Sequence, residues 1–382
     1  MGYLHVDILT YQSPKRPGEP CGDVIGHDRQ TDATALVCSD GLGSGIKANI
    51  AATMCVSRLL ESLRCGLSLR EAFASLVRTM NYARDHDLPY AVFTVVRIRN
   101  SGEATVLGYE MPAPLLISGR RTSLLNHRSV TVDRSVVSEA LCHLRPGEGI
   151  LCVSDGVTQA GLGAGLAEGW QTEGLQHYVD ECLAGGISLD RLPRFVHHRA
   201  RELWNMVAGD DCTVSAAVCR QGKCVTVLTG PPAVASDDNV VVSKFTRADG
   251  VRLVCGATTA RIVSRCMGRR LSVEQDNSSP IAPPKYAIEG IDLVTEGAIT
   301  LNQVNNIFDE NPAGFEKGTG VTSLWSYLHA ADRVDFLVGR SLNPANDDIL
   351  FRQQGILPRS KIVPLLAERL RQIGKLVTIE HY

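Results

Sequence analysis

Four short segments of this 382-residue chain pair aspartate with glycine or with a second acid. They are Cys21-Gly22-Asp23, Ser39-Asp40-Gly41-Leu42-Gly43-Ser44-Gly45, Ser154-Asp155-Gly156-Val157 and Gly209-Asp210-Asp211-Cys212-Thr213. An isolated Asp-Gly is ordinarily a turn. Here each segment sits beside an apolar run that reads as a strand: ATALVC before Asp40, GILCV before Asp155, TVSAAV after Asp211. Carboxylates at the ends of separate strands can converge on one edge of a sheet. Hard divalent cations take oxygen ligands, and a neighbouring glycine lets a carbonyl or a water come close. Gathered carboxylates repel one another unless a cation neutralises them. The arrangement to expect is a site for hard divalent cations.

The acids need elements to position them. Residues 1–45 read as short strands and glycine turns. A helix is predicted over 46–64, because Val56, Leu59, Leu60 and Leu63 recur at the spacing of one buried face. A second opens at Ser68, with Glu71 three residues on as a capping box and Phe73, Leu76, Val77 and Met80 as its buried face. AVFTVVRIRN and EATVLGYE, separated by Ser101-Gly102, read as a hairpin, followed by strands at PLLIS and GILCVS. Helices are predicted over about 170–184 and 189–207, then strands CTVSAAVC and KCVTVLT. Strand runs alternating with helix pairs predict an α+β fold, a β-sandwich flanked by α-helices. The Pro- and Asp-rich segment 229–239 marks a boundary, giving domains 1–228 and 229–382. Beyond it strands and helices alternate, as in a smaller α/β domain with parallel pairs.

Composition narrows the function classes. Lys+Arg number 39 against 41 Asp+Glu, a net charge of -2, and aromatics are 5%. Neither a basic surface nor a stacking platform is available, so nucleic acid and anionic membranes are not expected partners. No apolar run approaches the ~18–20 residues of a membrane helix, and the N-terminal stretch lacks a basic segment followed by an apolar core. A cytoplasmic location is expected. The twelve cysteines have no metal-binding or redox spacing and read as reduced, mostly buried thiols.

Taken in order, the acidic segments resemble the motifs of the metal-dependent Ser/Thr protein phosphatases of the PPM type, specifically the SpoIIE-like bacterial branch. Gly22-Asp23 resembles the first acidic motif, and SDGLGSGIKA (39–48) the DGxGxGxxA motif. LGYEMPAPLL (107–116) is similar to a strand running into a Pro-rich loop, and LRPGEGILCVSDGVTQA (144–160) to the block around the third Asp-Gly, with Glu148 and Gln159 as departures. Asp210-Asp211-Cys212-Thr213 resembles the closing Asp-Asp-x-Thr. The likeness spans about residues 20–220. It implies a β-sandwich flanked by helices and a site for two divalent cations, Mn²⁺ or Mg²⁺. By the resemblance Asp40 bridges both ions, Asp155 and Asp210 hold one, and Asp23 with the Gly41 carbonyl helps hold the other; Asp211 belongs to the same metal set, either as the direct ligand in place of Asp210 or as its support. Asp40, Asp155 and Asp210 would be the catalytic acids, and a water activated between two metals would hydrolyse a phosphoserine or phosphothreonine ester. The implied substrate is a phosphorylated regulatory protein. Leu42 occupies the place where many relatives carry His, which removes one proton donor. Lys15, Arg16 and Arg29 are the cations near enough in sequence to grip phosphate. The competing reading is a catalytically silent PPM-fold sensor that binds a partner.

Other features are weaker. His197 and His198 are adjacent on a helix and diverge by about 100°, a poor ligand pair. In the C-terminal domain, Cys255-Gly256-Ala257-Thr258-Thr259 ends a strand and opens a helix, and Arg261, Arg265 and Arg269 follow as one stripe. They suggest an anionic ligand or a regulatory partner there. Cys255 and Arg261 also match the C-x₅-R spacing of cysteine-dependent phosphatases, without their flanking residues.

Overall fold

Val56, Leu59, Leu60 and Leu63 form the buried stripe of α1 (Ile46–Arg64). Ser68 caps α2 (Leu69–Asp85) through a capping box with Glu71, and Phe73, Leu76, Val77 and Met80 are buried beneath it. These elements belong to a computed structural model, which describes residues 2–43, 45–206, 209–274, 285–311, 314–315, 318–341 and 355–382. The chain divides into two units, Tyr3–Gln221 and Gly222–Tyr382.

The first unit is built on two antiparallel sheets. Six strands run in the order β2 (Asp23–Arg29), β3 (Ala33–Gly41), β4 (Ala91–Arg99), β5 (Glu103–Tyr109), β9 (Ser135–His143), β8 (His127–Val132). Five run in the order β1 (Leu4–Ser13), β11 (Cys212–Gln221), β10 (Gly149–Val153), β6 (Leu115–Ser118), β7 (Arg121–Leu124). Leu36, Val96 and Ile98 of the first sheet pack on Ile150, Ala217 and Cys219 of the second, so the two inner faces share one core. The outer face of the six-stranded sheet is covered by α1 and α2. Short α3 (Asp155–Thr158), α4 (Gln171–Ala184) and α5 (Leu192–Leu203) cover the other. The layers are helix, sheet, sheet, helix, as the alternation of strand runs and helix pairs predicts.

In the second unit the parallel strands run β16 (Leu293–Thr295), β13 (Val251–Cys255), β12 (Cys224–Thr229), β17 (Arg333–Val338), β18 (Leu376–His381). A hairpin, β14 (Leu271–Glu274) and β15 (Lys285–Ile288), extends the sheet antiparallel beyond β16. Helices α6 (Asp238–Arg247) and α7 (Ala257–Met267) lie on one face. Helices α8 (Ala298–Asn306), α9 (Gly320–Ala330) and α10 (Arg359–Gln372) lie on the other. The sheet is thus doubly wound, and its order reverses between β12 and β17.

The boundary needs correction from 228/229 to 221/222. KCVTVLT is not the last strand of the sandwich but β12, the central strand of the second sheet, paired in parallel with β13 and β17. A central parallel strand is covered on both faces, and Val225–Thr229 are all buried. All twelve cysteines are free thiols. Among the described residues no helix is long and apolar enough to cross a membrane.

Candidate active site

Two strand ends and two strand starts bring the acids to the same end of the sandwich. β2 begins at Asp23 and β3 ends with Asp40 and Gly41, and the antiparallel register sets Asp23 directly opposite Asp40. Residues directly opposite point to the same face. In the other sheet β10 ends at Val153, opposite Val214 near the start of β11. Ser154-Asp155 therefore lies beside Asp210-Asp211, and the two segments are stitched by Ser154 N–H to the Thr213 carbonyl (3.0 Å) and Thr213 N–H to Ser154 Oγ (3.0 Å). The glycines after the acids are there for space. A Cβ on Gly41 would stand 2.0 Å from the Ala48 carbonyl oxygen, and one on Gly156 would stand 2.0 Å from that of Asp211. Only a residue without Cβ lets these backbones come so near.

Asp40 lies within electrostatic reach of Asp23, Asp155 and Asp210. Burial pushes the Asp40 carboxyl up to about 9, helped by the charges of Asp23, Asp155 and Asp210 and by a hydrogen bond to Asp155 that favours the proton on Asp40. Burial, and then the charge of Asp210, raises Asp155 as well. Asp23 is pushed up to about 7, again chiefly by burial; the nearby Thr213 and Ser154 hydroxyls oppose the rise and the Asp211 and Asp155 charges add to it. Asp23 is 3% exposed, and neither of its carboxylate oxygens has a bonded partner at hydrogen-bond geometry.

Asp210 and Asp211 are placed differently. Asp211 is buried, and its two oxygens accept the backbone N–H groups of Lys15 (2.7 Å) and Gly22 (2.9 Å). Asp210 is partly exposed and lies 3.7 Å from Lys15 Nζ. Among the described residues, no three Asp, Glu, His or Cys side chains are set to hold one ion.

Several supporting residues are not signalled in the sequence. Gln12 Nε2 donates to the Asp23 carbonyl and to Thr213 Oγ1, both at 2.9 Å. Asn49 Nδ2 binds the Cys21 carbonyl, Gln159 Nε2 binds Asp155 Oδ2, and Trp204 Nε1 binds the Gly156 carbonyl. Of the three cations near the first motif, Lys15 reaches Asp210. Arg16 pairs with Glu19, and Arg29 reaches the Val6 carbonyl. Leu42, after the second Asp-Gly, is 57% exposed.

Elsewhere the adjacent histidines diverge as expected. His197 meets Ser13 Oγ and is pushed down to about 4 by burial, while His198 faces Glu202. In the second unit the arginine stripe is not a free cationic face: Arg265 pairs with Asp238 and Arg269 with Glu289, and Arg261 lies near Tyr286. Cys255 is fully buried, and burial pushes its thiol up to about 11, the opposite of what an activated thiolate needs.

Among solved structures, the chain is similar to the RsbU and RsbW domains of Rv1364c from Mycobacterium tuberculosis (19% identity, 64% of this chain and 68% of that one, TM-score 0.48). It is also similar to the phosphatase domain of the cell fate determinant SpoIIE from Bacillus subtilis (14% identity, 58% and 95%, TM-score 0.44) and to RsbX crystallised with magnesium (14% identity, 56% and 99%, TM-score 0.42). No curated protein sequence matches. Residues 30–220 match the family model of Stage II sporulation protein E, which spans half of the chain and contains the second, third and fourth acidic segments; the chain belongs to the SpoIIE family of PPM-type phosphatases.

Proposed function

We propose that this chain is a metal-dependent phosphoserine/phosphothreonine protein phosphatase of a bacterial signalling circuit, acting on a phosphorylated regulatory protein. The observation that carries this reading is Asp23: two buried carboxylate oxygens without bonded partners, set opposite Asp40. Burying such a group is costly unless it takes up a proton or meets a cation. The donors gathered here are all hard oxygens, which fits Mn²⁺ or Mg²⁺. In this reading Asp40, Asp155, Asp210, Asp23 and the Gly41 carbonyl would hold two such cations. Bound there, the cations would lower the pKa of a water and offset the charge of a phosphomonoester.

The chain's own groups do the rest. Asp211, with both oxygens on backbone N–H groups, fixes the Lys15 loop and the entry to β2 instead of facing a ligand. Lys15 Nζ, beside Asp210, is placed to receive phosphate oxygens as a point charge. Gln159 orients Asp155. Leu42 offers no proton, so the leaving serine or threonine oxygen takes its proton from water.

Hydrolysis of an aryl phosphate by the purified chain tests the reading. Turnover should need Mn²⁺ or Mg²⁺, stop in chelator, and vanish in Asp40→Asn and Asp155→Asn with the circular dichroism spectrum unchanged. A silent sensor would show no turnover in any of these conditions. Full activity in either variant would remove the acids from the chemistry.

A further inference from the structure

The two sheets of the sandwich each end in an edge strand on the same side, β1 and β2, and a cleft of about 560 Å³ lies between them. It is lined by Ile8, Thr10 and Gln12 of β1, Asp23 and His27 of β2, and Thr53 of α1, among others. We propose that this cleft is a docking slot for an extended segment of the phosphoprotein substrate, which adds to the free edge of β1 as a strand and presents its phosphorylated side chain to the acidic end. The proposal rests on the phosphatase reading above and adds the form in which the substrate is recognised.

The backbone of β1 makes the case. Its pairing with β11 is continuous from Leu4 to Ser13. The Val6 carbonyl accepts from the Arg29 guanidinium at 2.8 Å, so Val6 turns its backbone away from β11. Backbone groups alternate along an antiparallel ladder. Ile8, Thr10 and Gln12 therefore present N–H and C=O to the cleft as well. Among the described residues, nothing bonds to the outward backbone groups of Ile8 or Thr10. Native sheets usually blunt or cover such edges; here Arg29 covers only the Val6 end.

The opposite wall obeys the same rule. Gly41 N–H bonds to the Gly22 carbonyl at 3.3 Å, so Gly22 faces β3 and Asp23, Ile25 and His27 turn their backbones outward. Gln12 Nε2 reaches the Asp23 carbonyl across the cleft, as this parity requires.

The slot also leads somewhere. A strand rises about 3.4 Å per residue, so the stretch from Ile8 to Gln12 is roughly 14 Å long, room for about four residues of an extended peptide. Its far end is Gln12, which touches Asp23, itself opposite Asp40. A peptide paired along Ile8–Gln12 brings its next residue over the acids. Strand addition takes its affinity from main-chain bonds and so tolerates varied sequence.

Proline substitution separates this role from the fold. Thr10→Pro removes an N–H that β11 does not use, which an edge strand tolerates. Thr10→Ala loses the Thr10 Oγ1–Ser215 Oγ bond (3.0 Å) but keeps the N–H. Thr53→Trp fills the cleft from α1. The probe is a phosphoserine decapeptide in a mixed Ala/Val/Thr background, compared with an aryl phosphate. The ratio of kcat/KM for the peptide to that for the aryl phosphate should fall about tenfold in Thr10→Pro and in Thr53→Trp, and hold in Thr10→Ala. Hydrogen exchange across residues 4–13 should slow when the peptide is added to wild type. An unchanged ratio in both Thr10→Pro and Thr53→Trp, or an equal fall in Thr10→Ala, overturns the slot while leaving the phosphatase reading intact. If Thr10→Pro does not fold, the ratio in Thr53→Trp and the exchange measurement decide. Absence of aryl-phosphate turnover in wild type overturns the phosphatase reading and the slot together.

Discussion

Replacing Asp40 with asparagine should make the cation-free protein more stable while destroying its activity, and the size of the gain follows from the burial of the acidic end. In the fold the Asp40 carboxyl is held up to about 9, against 3.8 for the ordinary side chain. A carboxyl with a raised pKa supports the fold fully below its unfolded value and loses that support as pH rises towards the folded one. At pH 7.5 the folded protein must keep a proton that the unfolded chain has released, at about 1.4 kcal/mol per pH unit, which costs the fold about 5 kcal/mol. Asparagine has nearly the same shape and never ionises. If imperfect hydrogen bonding of its amide cancels half or more of the gain, about 2 kcal/mol remains, or about 4–8 °C in Tm for a domain of this size. The assay is thermal unfolding of wild type and Asp40→Asn in chelator at pH 7.5 and pH 5, then with Mn²⁺. The advantage of the variant should shrink at pH 5, where little proton uptake is left to avoid, and Mn²⁺ should raise Tm in wild type only. A variant less stable than wild type in chelator, or a gain that ignores pH, would refute the reasoning.

Three further outcomes are expected. Because Asp23 and Asp40 hold protons at about 7 and about 9 without a cation, Mn²⁺ binding should release about two protons near pH 6 and about one near pH 8, and tighten by up to about a hundredfold per pH unit at the acid end and about tenfold at the other; calorimetry in two buffers of different ionisation enthalpy measures this, and pH-independent affinity would contradict it. Gly156→Ala sets a methyl against the Asp211 carbonyl oxygen, 2.0 Å away, and should cost about 1–3 kcal/mol in urea unfolding as well as activity, since the strain falls between two of the acidic segments. Lys15→Ala should raise KM for an aryl phosphate roughly tenfold, as expected for one lost charge-assisted bond, whereas Arg16→Ala, whose partner is Glu19, should leave steady-state kinetics as in wild type.

The acids were legible because their chemistry is written locally: each lies beside a glycine or a second acid at a strand boundary. Long helices were legible for the same reason, since apolar periodicity and the Ser68–Glu71 box are contained within a few turns. What was not legible depends on register. Gln12, Asn49 and Trp204 reach the site only because of how strands and helices align, and nothing next to them in the chain announces it. Five strands, β7, β8 and β9 of the first unit and the hairpin β14 and β15 of the second, escape the sequence reading. β7 and β8 are short and largely exposed, so they show little apolar alternation. β12 follows β11 after two residues and resembles the return arm of a hairpin, yet it leaves to found another sheet. Its unbroken buried run was the clue to a parallel strand. The arginine stripe has the right period but gives no hint of Asp238 and Glu289, which neutralise two of its members.

The pairing of β1 with β11, from Leu4 opposite Gln221 to Ser13 opposite Cys212, has a consequence for biosynthesis. Of the strands in this unit β1 is translated first, and among the described residues its one ladder partner is translated last, after nearly the whole unit. Until then Asp211 is not there to receive the Lys15 and Gly22 amides. Contacts this remote in sequence close slowly, so the acidic end is assembled as a late event, and a nascent chain halted before residue 212 has no means of forming it.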